Sequence, residues 1–210
     1  MPVFFNDSIK ILYIHIPKTG GTSVTLFFER NGFQTAYLDG DILPTGLNTV
    51  RRCSPQHMHA ETLNAVFNLG KFDYRFATVR NPLSRIVSEY KMRFAGREDP
   101  TPLDAWLREI LARYQHNAYI HDNHIRPQTE FLVPDCEVFK LEDGYTDRWV
   151  ETLAARTGID FAVRKVWHAR RAPPHAGGTA PTRDVIERVQ AFYAQDYDVL
   201  GYERSADAPP

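Results

Sequence analysis

An excess of charge of either sign is missing from this sequence. Lys and Arg number 25 against 26 Asp and Glu, a formal net charge of -1. The strong basic surplus of a general nucleic-acid binder is therefore absent. Cysteine is scarce as well. Cys53 and Cys136 stand in unrelated contexts, so neither a disulfide framework nor a zinc pattern can be read. Long apolar runs are missing too, and none approaches the roughly 20 residues that cross a bilayer. The first residues, Met1 to Asp7, lack the basic start and extended apolar stretch of a signal peptide. These absences leave a cytoplasmic, unanchored enzyme or binding domain as the expectation.

What is present is an ordinary globular composition, 43% apolar and 24% charged over 210 residues, which fits one domain. That domain is expected over residues 1–204, with 205–210 as a frayed tail. Three short apolar runs read as strands: Ile9–Ile16, Tyr74–Val79 and Cys136–Leu141. Helical spacing follows in Thr22–Arg30, with Thr22 or Ser23 as N-cap, then in Leu83–Phe94, Pro102–Tyr119, Tyr145–Thr157 and from Thr182 to Tyr197. His59–Leu69 and Gln128–Leu132 are weaker candidates, and Thr35–Pro55 is too rich in turn residues to assign. Strands alternating with helices predict an α/β fold with a central parallel sheet covered by helices. Basic residues cluster at Arg51-Arg52, at Lys91, Arg93 and Arg97, and at Arg164, Lys165, Arg170 and Arg171.

The most informative segment is His15-Ile16-Pro17-Lys18-Thr19-Gly20-Gly21-Thr22-Ser23, between the first strand and the first helix. Such a junction directs backbone N–H groups and the positive helix end toward an anion. Gly20 and Gly21 let the backbone approach closely. Thr22 and Ser23 add hydroxyls, and Lys18 adds a mobile charge. A nucleoside-triphosphate P-loop places its Lys after the second Gly, directly before Ser or Thr. Here the Lys comes first, which counts against an ATPase or GTPase.

A second constellation follows the strand RFATV: Arg80 at its exit, then Asn81-Pro82, then a helix carrying Ser84 and Ser88 on one face. Ligands of open α/β sheets gather at such strand exits. An Arg fork and a Ser hydroxyl can grip one phosphate.

With these two motifs in order, the chain resembles the carbohydrate sulfotransferases that use 3′-phosphoadenosine 5′-phosphosulfate (PAPS), in particular heparan sulfate 2-O- and 6-O-sulfotransferases and their bacterial relatives. The resemblance implies a sulfotransferase-type, P-loop-like nucleotide site. Lys18, Thr19, Gly20, Gly21, Thr22 and Ser23 would hold the 5′-phosphosulfate, Lys18 stabilising the leaving phosphate oxygen. Arg80 and Ser88 would hold the 3′-phosphate. Arg170 and Arg171, in the basic loop before the last helix, would cover the nucleotide. A solvated loop is an equal reading of that pair. The acceptor implied is a hydroxyl of a carbohydrate or glycoconjugate.

Transfer needs a base for the acceptor proton, and His is suited to it. Gln56-His57-Met58-His59-Ala60-Glu61 lies between the two motifs, where these sulfotransferases carry a histidine. By that resemblance His59 is the expected base, with His57 as substitute or acceptor-orienting residue and Glu61 as the alternative base. His57, His124, Arg126 and Gln128 are acceptor-groove candidates, and a plain polar loop is the competing reading for the last three. His57 and His59 could share a metal, but no third ligand stands nearby in sequence. The spacing of His121 and His124 would suit a metal on a helix, but Asn, Asp and Pro crowd that segment, so no metal is expected. Two other functions fit less well. A small-molecule kinase with a degenerate loop would want a carboxylate after Val79, where Arg80 stands. A non-catalytic nucleotide- or glycan-binding domain would need neither Lys18 nor His59. Oligomeric state is not legible.

Overall fold

The computed structural model describes residues 2–39, 46–167 and 180–205. The proposed nucleotide cover, Arg170 and Arg171, lies outside the described residues, as does most of the expected tail. Ser205 is described, and its carbonyl accepts from Gln190 Nε2 at 2.7 Å.

Five strands form one sheet: β1 (Val3–Phe5), β2 (Lys10–Ile14), β3 (Gln34–Ala36), β4 (Tyr74–Val79) and β5 (Glu137–Lys140), in the order β3-β1-β2-β4-β5. The expected parallel sheet holds for half of it. β2, β4 and β5 pair in parallel, but β1 pairs antiparallel with both β2 and β3, so the sheet is mixed. The cause is a tight turn at Asn6. Its side-chain oxygen accepts from Ser8 N and Ile9 N at 2.9 and 3.1 Å, folding the chain's first strand back onto β2. β1 and β3 are short and escape a period-2 reading.

β2 is buried on both sides, and its alternation divides the core. Ile11 and Tyr13 join Phe76 of β4 and pack against α1 (Gly21–Arg30) and α5 (Asp147–Thr157) through Phe27, Phe28 and Trp149. Leu12 and Ile14 join Ala77 and Val79 and face Leu63 of α2 (Ala60–Val66), Phe131 and Leu200. A third cluster belongs to α3 (Pro82–Arg93), α4 (Leu103–His116), α6 (Arg183–Phe192) and the buried Ile120 and Ile125.

Two helix expectations are corrected. Neither Thr22 nor Ser23 caps α1. The helix starts at Gly21, and Gly20, at φ 85°, occupies the cap position. The long final helix is two helices, α6 and then α7 (Ala194–Leu200), broken at Tyr193. The Tyr193 ring is buried and its hydroxyl donates to Ile125 O at 2.7 Å, so side-chain anchoring overrides helix continuation. No helix among the described residues is long and apolar enough to cross a membrane.

Candidate active site

Because β2, β4 and β5 point the same way, their exits share one edge of the sheet. The loop leaving β2 is held by internal hydrogen bonds. Thr19 is fully buried, its hydroxyl donates to Ile16 O at 2.8 Å, and Tyr145 Oη donates to its carbonyl at 3.2 Å. The Thr19 hydroxyl is thus committed inside the loop. Lys18 has φ 69° and Gly20 φ 85°, so the loop reverses twice through the left-handed region. A Cβ at Gly20 would stand 2.7 Å from Tyr145 Oη, and one at Gly21 2.0 Å from His15 Nε2. His15 therefore lies directly against the first residue of α1. Thr22 is exposed on the first helical turn, while Ser23 is buried. Lys18 Nζ reaches across to α3, donating to Met92 Sδ at 3.2 Å.

The exit of β4 meets this loop. Arg80 Nη1 donates to Lys18 O at 3.4 Å, and burial draws the guanidinium pKa down against the opposing pull of Glu142. Gln128 fixes Arg80 from behind: Arg80 N donates to Gln128 Oε1 at 2.9 Å, and Gln128 Nε2 donates to Arg80 O at 2.8 Å. Gln128 is fully buried, and its own N–H donates to Asp196 at 2.8 Å. The expected acceptor contact is accordingly a backbone brace. Asn81 caps α3, accepting from Leu83 N and Ser84 N at 3.0 and 3.2 Å, with Pro82 in the first turn. Ser84 and Ser88 sit half-buried one turn apart. Glu142, arriving from the exit of β5, accepts from Asn81 N at 2.7 Å and from Tyr202 Oη at 2.9 Å.

A histidine-rich cluster lies alongside. The His57 ring is edge-on to His15 at 5.1 Å between centroids and to His124 at 4.9 Å. His57 Nδ1 is 2.7 Å from Asp122 Oδ2, and Ser54 Oγ donates to the same oxygen at 2.6 Å. Burial lowers the His57 pKa to about 4 despite that carboxylate. Burial would raise the Asp122 pKa, but His57 and Ser54 hold it at about 2. His124 Nδ1 is 2.6 Å from Glu89 Oε2, and Arg93 Nε donates to Glu89 Oε1 at 2.6 Å. Glu89 is fully buried; against that burial, His124 and Arg93 keep it near 2.

Asp122 owes its position to unusual backbone. His121, Asp122 and Asn123 have φ of 53°, 59° and 64°, a left-handed turn that Asp and Asn tolerate best. Asn123 Nδ2 locks it by donating to His57 O at 2.8 Å. Arg85, also fully buried, donates to the carbonyls of His124 and Arg126 at 3.2 and 2.5 Å.

His59 is placed differently. It occupies the cap position of α2, with Nδ1 3.1 Å from Thr62 Oγ1 and Nε2 3.5 Å from the exposed Glu61 carboxylate. Its ring is edge-on to Tyr119. Burial, then Arg126, lowers its pKa, with Glu61 opposing. Arg126 itself is nearly enclosed. It donates to Asn123 Oδ1 at 3.1 Å, pairs with Glu130 and lies over Tyr119. Among the acceptor candidates, then, the fold brings His57 and His124 together, and it ties Arg126 and Gln128 into internal contacts.

Sequence reasoning passed over His15, Arg85, Glu89, Asp122 and Asn123. Arg85 and Glu89 did carry a signal: two opposite charges four apart on the apolar face of Leu83, Ile86 and Tyr90. Asp122 and Asn123 carried little, because only the left-handed turn aims them inward.

No curated protein and no solved structure matches the chain. The family comparison does. A sulfotransferase family model matches residues 1–203, and the chain belongs to that family.

Proposed function

We propose that the chain transfers the sulfuryl group of PAPS to a hydroxyl of a carbohydrate or glycoconjugate. The observation carrying this reading is the contact of Arg80 with the carbonyl of Lys18. It joins the exits of two adjacent parallel strands and sets an Arg and a Lys from separate motifs on one edge, where a doubly phosphorylated nucleotide could span them.

In this reading the loop N–H groups at the start of α1 and the Lys18 ammonium face the phosphosulfate. Arg80, with Ser88 on α3, takes the 3′-phosphate. The acceptor oxygen attacks sulfur in line, the bond from sulfur to the phosphate oxygen breaks, and adenosine 3′,5′-bisphosphate leaves. His59 accepts the hydroxyl proton on Nε2. Thr62 steadies the opposite ring nitrogen, and the Glu61 carboxylate supports the cation that forms. His57 is less suited, since its Nδ1 is engaged by Asp122.

Calorimetric titration with adenosine 3′,5′-bisphosphate, 5′-AMP and ATP tests the donor site. Preference for the bisphosphate is expected, and Arg80→Ala should reduce its affinity about tenfold to a hundredfold, the loss of one charge-assisted contact. Equal binding of all three nucleotides would remove the donor reading. Transfer of labelled sulfate from PAPS to a glycan panel then identifies the acceptor. Activity surviving His59→Gln but not Glu61→Gln would move the base to Glu61.

A further inference from the structure

We propose that His57, Asp122 and His124 form a binding site for one transition-metal ion of the zinc class. The proposal does not depend on sulfuryl transfer. Sequence spacing offered no third ligand for a histidine pair in this region. The fold instead gives His57 two partners from elsewhere in the chain, because the left-handed turn at 121–123 brings Asp122 and His124 against it.

The ligand atoms of the three residues lie within 4.8 Å of one another. Zinc bound at about 2.0–2.1 Å in a tetrahedron sets its ligands about 3.3 Å apart. His57 Nδ1 and Asp122 Oδ2, at 2.7 Å, need only part slightly for an ion to replace the proton between them. The His124 nitrogen would have to close in from a separation of up to 4.8 Å. Two imidazoles and one carboxylate select zinc, cobalt or nickel over magnesium or calcium, which prefer all-oxygen sets. Such a three-ligand set leaves a coordination position open.

The surroundings match those of a metal site. Ligating histidines ordinarily pass their second nitrogen to a carboxylate, which fixes the tautomer and strengthens the ligand. His124 does this: Nδ1 meets the buried Glu89, which Arg93 secures from its other oxygen, and Nε2 remains for the ion. Asp122 is steadied by Ser54 from both its N–H and its hydroxyl, at 2.5 and 2.6 Å. Asn123 holds the His57 backbone. The ion would clamp the 54–57 segment, which leads directly into His59, to the 121–124 turn.

The test uses the full-length chain without a histidine tag, stripped by a chelator and titrated with Co²⁺ followed by visible absorption, and with Zn²⁺ against a chromophoric chelator. One ion per chain is expected, with ligand-field bands of a nitrogen- and oxygen-ligated site, and Zn²⁺ should raise the unfolding midpoint. His124→Gln should abolish the bands. Glu89→Gln should weaken affinity about tenfold to a hundredfold. His116→Gln, at an exposed position, should change nothing. Absence of stoichiometric binding by the unaltered chain overturns the proposal, and that result stands whether or not the variants fold. Equal binding by the His124→Gln and unaltered chains overturns it too.

Discussion

At Gly21 the absence of a single methyl group decides whether the loop and the histidine cluster can coexist. A Cβ there would overlap the His15 ring, whose neighbours Tyr13 and His57 limit its retreat. Gly21→Ala is expected to cost about 1–3 kcal/mol, the range for overpacking. The paired change Gly21→Ala with His15→Ala should restore much of that in urea unfolding, because it removes the group that is struck. Additive losses would show that the strain lies in the loop backbone instead. On the proposed reading Lys18 would make the opposite kind of contribution, its ammonium acting as charge develops on the leaving oxygen. Lys18→Ala should lower turnover about a hundredfold or more while bisphosphate affinity falls far less; parallel losses would reduce Lys18 to a binding residue. Both residues could be named from the string PKTGG. Their partners could not: nothing local to Gly21 tells that His15, six positions earlier, returns over it.

At the scale of elements, α3 is the piece on which most depends. Its first turn follows Arg80 directly, its buried face carries Arg85 and Glu89, and Met92 meets Lys18. One asparagine holds its start. Asn81→Ala should destabilise the protein by about 1 kcal/mol, the usual cost of a lost cap, read as a shift in the urea midpoint. Arg85→Met has a larger expected cost, about 1–3 kcal/mol, because the buried carbonyls of His124 and Arg126 lose their donor. Near-wild-type stability of Arg85→Met would mean that the 118–127 segment finds other partners. The helix was legible in the sequence through Pro82 and the spacing of Leu83, Ile86 and Tyr90. The segment after α4 was not. Its polar letters read as a solvated loop, and only burial by Arg85 and the left-handed turn make it part of the interior.

At the scale of the molecule, the order strand, loop, helix, strand, Arg, helix was readable, and it led to the family to which the chain belongs. The mixed sheet was not readable, since β1 and β3 have three residues each and the reversal of β1 onto β2 rests on the Asn6 turn. A ligand spanning the β2 and β4 exits should stabilise the whole fold. At a concentration a hundred times its Kd, adenosine 3′,5′-bisphosphate adds about 2.7 kcal/mol. For a chain of this size that raises the melting temperature by about 5–10 °C. A calorimetric scan showing no shift at saturation would mean that the nucleotide binds the unfolded chain equally or not at all.

The register of β2 on β4 pairs Ile11 with Tyr74 and Ile14 with Ala77. A contact between segments so far apart along the chain closes slowly, because the loop entropy is lost before any pairing compensates it. Lys18 and Arg80 come within reach of each other only after this pairing. Nucleotide binding during refolding would therefore behave as a clock, silent while helices form and switching on when the two strands find each other.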